Sequence, residues 1–193
     1  ASGVREAGRF TPYSAIAERA AHIATGLIER GVTRGAPVGL LMVNGPELLT
    51  LAYAVFAAGG VVVPLNAHAP RAELAATARK AHVAAVIASL PYATVAEGLI
   101  ADLGGAGEMP IFLAGGEAEN SVAALERYSI GALPKLGEDD AALYMFSSGS
   151  TGIPKVVPHT HVEIVIELKC ASERGRYATD GVMINMMRGS HAM

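Results

Sequence analysis

Residues 141–157 read Ala141-Ala142-Leu143-Tyr144-Met145-Phe146-Ser147-Ser148-Gly149-Ser150-Thr151-Gly152-Ile153-Pro154-Lys155-Val156-Val157. An apolar run of strand length leads into a stretch of hydroxyls and glycines that ends on a prolyl-lysine, and a second apolar run begins at once. Strand, small-residue loop and lysine together suit a polyphosphate. Glycines let backbone N–H groups turn inward around an anion, hydroxyls add donors, and Lys155 adds a full positive charge. The spacing is not that of the Walker loop, it lacks the dinucleotide fingerprint, and Ser150 lacks the flanking pattern of a hydrolase elbow. The other reading of these residues is a flexible Ser/Gly loop, although such loops seldom end on a fixed Pro-Lys between two strands.

Working outward, short aliphatic runs alternate with helical periodicity. Ser14 precedes Ile16, Ala17, Ala20, Ile23, Ala24, Leu27 and Ile28 at helical spacing, and Gly31 supplies a stop. Strands are predicted over Pro37–Val43, Val61–Pro64, Val83–Ala88, Ile111–Ala114 and Ala141–Phe146. Helices are predicted over Pro46–Ala58, Arg71–Ala81, Tyr92–Leu103 and Ser121–Tyr128, with Gly131–Asp140 as a polar connection. The Gly59-Gly60, Gly104-Gly105 and Gly115-Gly116 pairs fall at junctions and read as turns. Aliphatic strands without polar alternation belong to sheets covered on both faces, so the predicted class is α/β, a mostly parallel sheet flanked by helices.

Composition narrows the function classes. The 193 residues are 51% hydrophobic with only 17% charged, and the net charge is −3. Such a chain is not intrinsically disordered, and its mild acidity argues against a nucleic-acid partner. The single cysteine, Cys170, excludes a disulfide framework and a cysteine-based zinc site, and points to a reducing, cytoplasmic compartment. Residues 48–65 carry no charge, but Gly59, Gly60 and Pro64 divide them into a helix and a strand, so no membrane partner is expected. His159 and His161 would share one face of a strand, yet without a third ligand they read as structural or solvent-facing, and no protein metal site is expected. Asp139-Asp140 reads as a solvated turn, and Cys170 as a core or half-buried thiol.

The loop Ser147–Lys155 resembles the nine-residue phosphate-loop signature of the adenylate-forming, or AMP-binding, ligases. Other blocks resemble that family in its own order: Phe10–Ser14, Gly31–Gly35, Leu41–Glu47 and Ala54–Asn66. A narrower resemblance, to the stand-alone aryl-acid adenylating branch, rests on Lys155-Val156-Val157-Pro158-His159-Thr160-His161 with Glu163, on Ala114–Glu119 and on His68–Leu74. That branch accepts an aliphatic residue after the lysine and a proline three positions on, where most of the family has glycine after the lysine.

The resemblance implies an ATP-dependent ligase, with an acyl-coenzyme A synthetase of the same superfamily or a non-catalytic nucleotide-binding module as the alternatives. A carboxylate attacks the α-phosphorus, acyl-AMP and pyrophosphate form, and a thiol of coenzyme A or of a carrier-protein pantetheine takes the acyl group. It further implies that Ser147, Ser148, Gly149, Ser150, Thr151, Gly152 and Lys155 hold the β- and γ-phosphates. Lys155 is then the catalytic residue of this stretch, and Mg²⁺ is shared among phosphate oxygens. The lysine that contacts the reacting carboxylate belongs to a C-terminal domain, so residues 1–193 would be an incomplete N-terminal adenylation domain, poorly active by itself and with apolar surface left uncovered. Val182–Met187 reads as a strand. After it, Arg188-Gly189-Ser190-His191 reads either as an affinity-tag run or as the segment whose histidine lines the acyl pocket. On the second reading His191 and Ala192 are substrate-binding residues. Ala192 and Met193 stand where the branch has asparagine and an aromatic, which puts a contact to an ortho hydroxyl of the acid in doubt.

Overall fold

The computed structural model describes residues 2–105, 108–147 and 155–175. The chain opens on a two-stranded antiparallel hairpin, β1 (Gly3–Glu6) and β2 (Arg9–Pro12). The main sheet has six strands: β3 (Pro37–Leu41), β4 (Val61–Pro64), β5 (Ala85–Ser89), β6 (Ile111–Ala114), β7 (Ala141–Ser147) and β8 (Lys155–Thr160). Its spatial order is β6-β5-β3-β4-β7-β8; every neighbouring pair is parallel except β7 with β8. The helices are α1 (Tyr13–Glu29), α2 (Pro46–Ala57), α3 (Arg71–Lys80), α4 (Ala93–Leu103), the short α5 (Val122–Leu125) and α6 (His161–Gly175). The predicted α/β class and mostly parallel sheet are what the structure has.

Successive strand residues face opposite sides, and both sides are covered. Val38, Leu40, Val62, Ala85 and Ile87 pack with Ile23 and Leu27 of α1 and Leu51 and Val55 of α2. Leu41, Val63, Val86 and Ala88 pack with Leu74 and Ala78 of α3 and Ala96 and Leu99 of α4. This two-sided burial is why the strands read as unbroken aliphatic runs. From β3 the chain moves outward to β4, then returns across β3 to β5. Crossovers that run in opposite directions along the sheet place α2 on one face and α3 and α4 on the other, as crossovers of a single hand require.

Several boundaries differ from the sequence expectation, each for a local reason. The β1–β2 hairpin was not foreseen: its two-residue turn needs left-handed backbone at both positions, and Ala7 takes φ 46° where an asparagine would have advertised the turn. Helix α1 starts at Tyr13 rather than after Ser14, because the Tyr13 N–H donates to the carbonyl of Ser2 and the hairpin backbone does the capping. Helix α5 is four residues, not eight. The chain after it is drawn back to α1, where His22 Nδ1 bonds the Tyr128 carbonyl at 2.8 Å and the Gly131 N–H donates to Thr25 Oγ1 at 3.1 Å. Cys170, expected in or near the core, is exposed. Helix α6 meets the core through Ile164 and then runs past it, with Val165, Ile166 and Leu168 exposed.

Candidate functional site

Strand β7 carries the chain to the carboxyl end of the parallel sheet, the end at which open α/β sheets bind ligands. Ala142 and Leu143 anchor it in the core, burial lessens along Tyr144–Phe146, and Ser147 is exposed at the tip. The chain returns antiparallel as β8, with Lys155 directly across from Ser147. The two ends of the predicted phosphate loop are therefore held side by side by a strand pair. Residues 148–154, which include Ser148, Gly149, Ser150, Thr151 and Gly152, lie outside the described residues, as do His191 and Ala192. Lys155 is exposed and makes no ion pair with the other described residues, so its charge is available to an anion.

The returning limb is secured at its far end. Thr160 and Glu163 form a capping box: the Thr160 N–H donates to Glu163 Oε2 at 2.8 Å, and the Glu163 N–H donates to Thr160 Oγ1 at 3.2 Å. This reciprocal pair starts α6 at His161, so His159 and His161 do not share a strand face as expected. His159 faces Glu167 of α6 at 3.7 Å, and His161 meets Phe56 of α2 edge to face at 5.5 Å between ring centroids. The His161 N–H donates to the Asp140 carbonyl at 3.1 Å. Burial holds the His161 imidazole below its usual protonation range, opposed in part by the Asp140 carboxylate. The Thr-x-x-Glu spacing was present in the sequence as a helix-start signal and would have separated the two histidines.

Asp140, expected as part of a solvated turn, ties the entrance of β7 to the turn that precedes β3. Its carboxylate accepts both Arg34 contacts, at 2.7 and 2.8 Å, and the Gly137 N–H at 2.7 Å. The Arg34 guanidinium, then the Gly137 N–H, hold that carboxyl below the usual aspartate range. Among the described residues no group of three His, Cys, Asp or Glu could hold a metal ion. A concavity of about 460 Å³ lies between α1 and the β6–α5 connection, lined by Arg30, Glu117, Glu119, Ala124, Arg127 and Tyr128. None of its residues belongs to the β7–β8 strand pair, and its cations and carboxylates neutralise one another, with Arg30 and Glu119 3.6 Å apart. No helix among the described residues is long and apolar enough to cross a membrane; residues 48–65 divide into α2 and β4.

Residues 4–193 match the model of the AMP-binding enzyme family. Over 157 residues the chain is 30% identical to the long-chain-fatty-acid–CoA ligase FadD13 of Mycobacterium tuberculosis, covering 80% of this chain and 30% of that protein. Over 180 residues it is 31% identical to a feruloyl-CoA synthase of an Amycolatopsis species, covering 90% of this chain and 34% of that protein. The fold superposes on apo MatB of Rhodopseudomonas palustris with a TM-score of 0.82 at 24% identity, over 96% of this chain and 36% of that one. The chain thus spans about a third of the length of each of these three proteins. With the family's model matched over residues 4–193, the chain belongs to the AMP-binding enzyme family.

Proposed function

We propose that this chain is the N-terminal part of a ligase that uses ATP to activate a carboxylic acid as an acyl-adenylate and then passes the acyl group to a thiol. The observation that carries the reading is the Ser147–Lys155 pair at the base of the β7–β8 hairpin, at the ligand-binding end of a parallel sheet. Ser147 to Gly152 and Lys155 hold the β- and γ-phosphates. A carboxylate oxygen attacks the α-phosphorus, the bond from that phosphorus to the β-bridging oxygen breaks, and pyrophosphate leaves with the electron pair. Positioning and charge neutralisation carry most of such a displacement. Lys155 gives the departing pyrophosphate a fixed counter-charge. Mg²⁺ suits this arrangement as an ion that arrives with the nucleotide and neutralises phosphate oxygens, because the donors here are hydroxyls rather than a carboxylate cage.

The residues after the lysine, Val156-Val157-Pro158, support an aryl acid as the substrate, and the similarity to a feruloyl-CoA synthase agrees with that choice. The thiol acceptor in this reading is coenzyme A, the product for which both relatives described above are named, or a carrier-protein pantetheine. His191 and Ala192 line the acyl pocket in this reading.

Titration of the protein with Mg-ATP tests the loop assignment. Lys155→Ala removes a charge-assisted contact of about 1.5–3 kcal/mol, so the Kd for ATP is expected to rise roughly ten- to a hundredfold. The melting temperature should stay unchanged, because Lys155 is exposed. An unchanged Kd, in a protein that binds ATP, would remove the loop from the site.

A further inference from the structure

His161 stands where four parts of the structure meet. It follows the last residue of β8, opens α6, lies edge-on to Phe56 of α2, and its backbone N–H is held by the Asp140 carbonyl at the entrance of β7. Its Nε2 is buried and has no hydrogen-bond partner among the described residues. An imidazole so placed packs as a neutral aromatic ring; charged, it would carry a desolvated N–H donor with no acceptor among the described residues.

The charged groups nearby compensate only in part. The carboxylate whose field reaches the ring is that of Asp140, and it is already engaged by Arg34 and by the Gly137 N–H. On α6 itself Glu163 is committed to the Thr160 N–H and Glu167 lies beside His159. On the α2 side the ring meets Phe56, whose own edge-to-face neighbour is Tyr53, centroids 6.1 Å apart.

We propose that His161 is an acid-released clasp: its neutral ring fastens the start of α6 to α2 and thereby holds the returning limb of the phosphate-loop hairpin in register with β7. Protonation on Nε2 loosens that attachment, so the joint opens in acid while the parallel sheet stays folded. The sign follows from linkage. The folded form disfavours the proton, so the opened form binds more of it. The clasp is at full strength well above the ordinary imidazole value of 6.5 and weakens as the pH falls through and below it. The effect is local, because the core strands β3, β4 and β5 do not depend on α6 for their pairing.

The test is hydrogen exchange on the purified chain, followed from about pH 7.5 to about pH 5.5 and corrected for intrinsic rates. Amides of β8 and of the first turns of α6 are expected to lose protection by up to about tenfold per pH unit below the ordinary imidazole range. Amides of β3 and β5 should hold theirs. His161→Phe keeps the ring against Phe56 and cannot be protonated, so its hairpin protection is expected to be flat over the same range. The same acid loss in His161→Phe would overturn the proposal. The wild-type chain gives a second reading that needs no variant: the Cε1 proton of His161 should titrate below 6.5, and a midpoint at or above that value would also overturn it. Neither measurement uses ATP, so both outcomes are independent of whether the loop binds a nucleotide.

Discussion

Arg19 joins three helices through one guanidinium. It bonds both oxygens of Glu47 on α2, at 2.8 and 3.3 Å, and reaches Glu126 beyond the end of α5. Glu47, more than Glu126, holds that guanidinium even more firmly protonated than an ordinary arginine. The three side chains are about one-third exposed, so solvent screens the pairing and its worth lies between that of a surface pair and a buried one. Arg19→Met is expected to lower stability by about 1 kcal/mol. For a chain of this size that is a fall of roughly 2–4 °C in melting temperature. A double-mutant cycle with Glu47→Gln should recover most of the loss as coupling; full additivity would show that the pair contributes nothing. Nothing in the sequence pointed to this trio, since its members are 28 and 107 positions apart and each reads as a solvated charge.

Helix α1 carries a glycine whose value is set by another element. Gly26 lies in the interior of α1, where replacement by alanine ordinarily stabilises by about 0.5–1 kcal/mol. Here a β-carbon would stand 2.7 Å from the carbonyl oxygen of Leu125 and 2.8 Å from its Cα, both backbone atoms that cannot step aside. Gly26→Ala is therefore expected to destabilise, by about 1–3 kcal/mol. Denaturant unfolding decides between the signs, and a stabilised variant would mean that α5 moves freely. Elements whose signal is local were legible in the sequence: β4 and β6 fall on their predicted residues, and α2 and α3 end within a residue of expectation. Elements created by contact were not. The β1–β2 hairpin depends on a strained alanine turn, and the brevity of α5 depends on His22 and Thr25 drawing the following chain onto α1.

At the scale of the whole molecule, the covered parallel sheet explains the composition. Two helical layers bury both faces of β3, β4 and β5, which leaves little place for charge in the strands. The described surface still exposes Val165, Ile166 and Leu168 on α6 beyond the core, as an uncovered apolar face would. If the chain supplies the N-terminal part of a ligase, the lysine that meets the reacting carboxylate comes from elsewhere, and the purified 193-residue chain is expected to bind Mg-ATP without turnover. Carboxylate-dependent ATP–pyrophosphate exchange checks this: a rate at the no-enzyme background is the expected result. Robust exchange would show that these residues suffice.

By itself the sequence determined the class of fold and carried the resemblance of residues 147–155 to a phosphate loop. Strand periodicity, glycine at turns and a Ser/Gly run ending on Pro-Lys are properties of consecutive residues, and short-range sterics and backbone hydrogen bonding read them directly. Only the tertiary structure decided that Ser147 and Lys155 face each other, that β8 runs antiparallel to its neighbour, and that His161 is a half-buried ring with an enclosed Nε2 rather than a strand ligand. Those outcomes depend on which distant groups come to share a space from which water is excluded. Burial, and not residue type, then sets whether a histidine is a charge, a ligand or part of the packing.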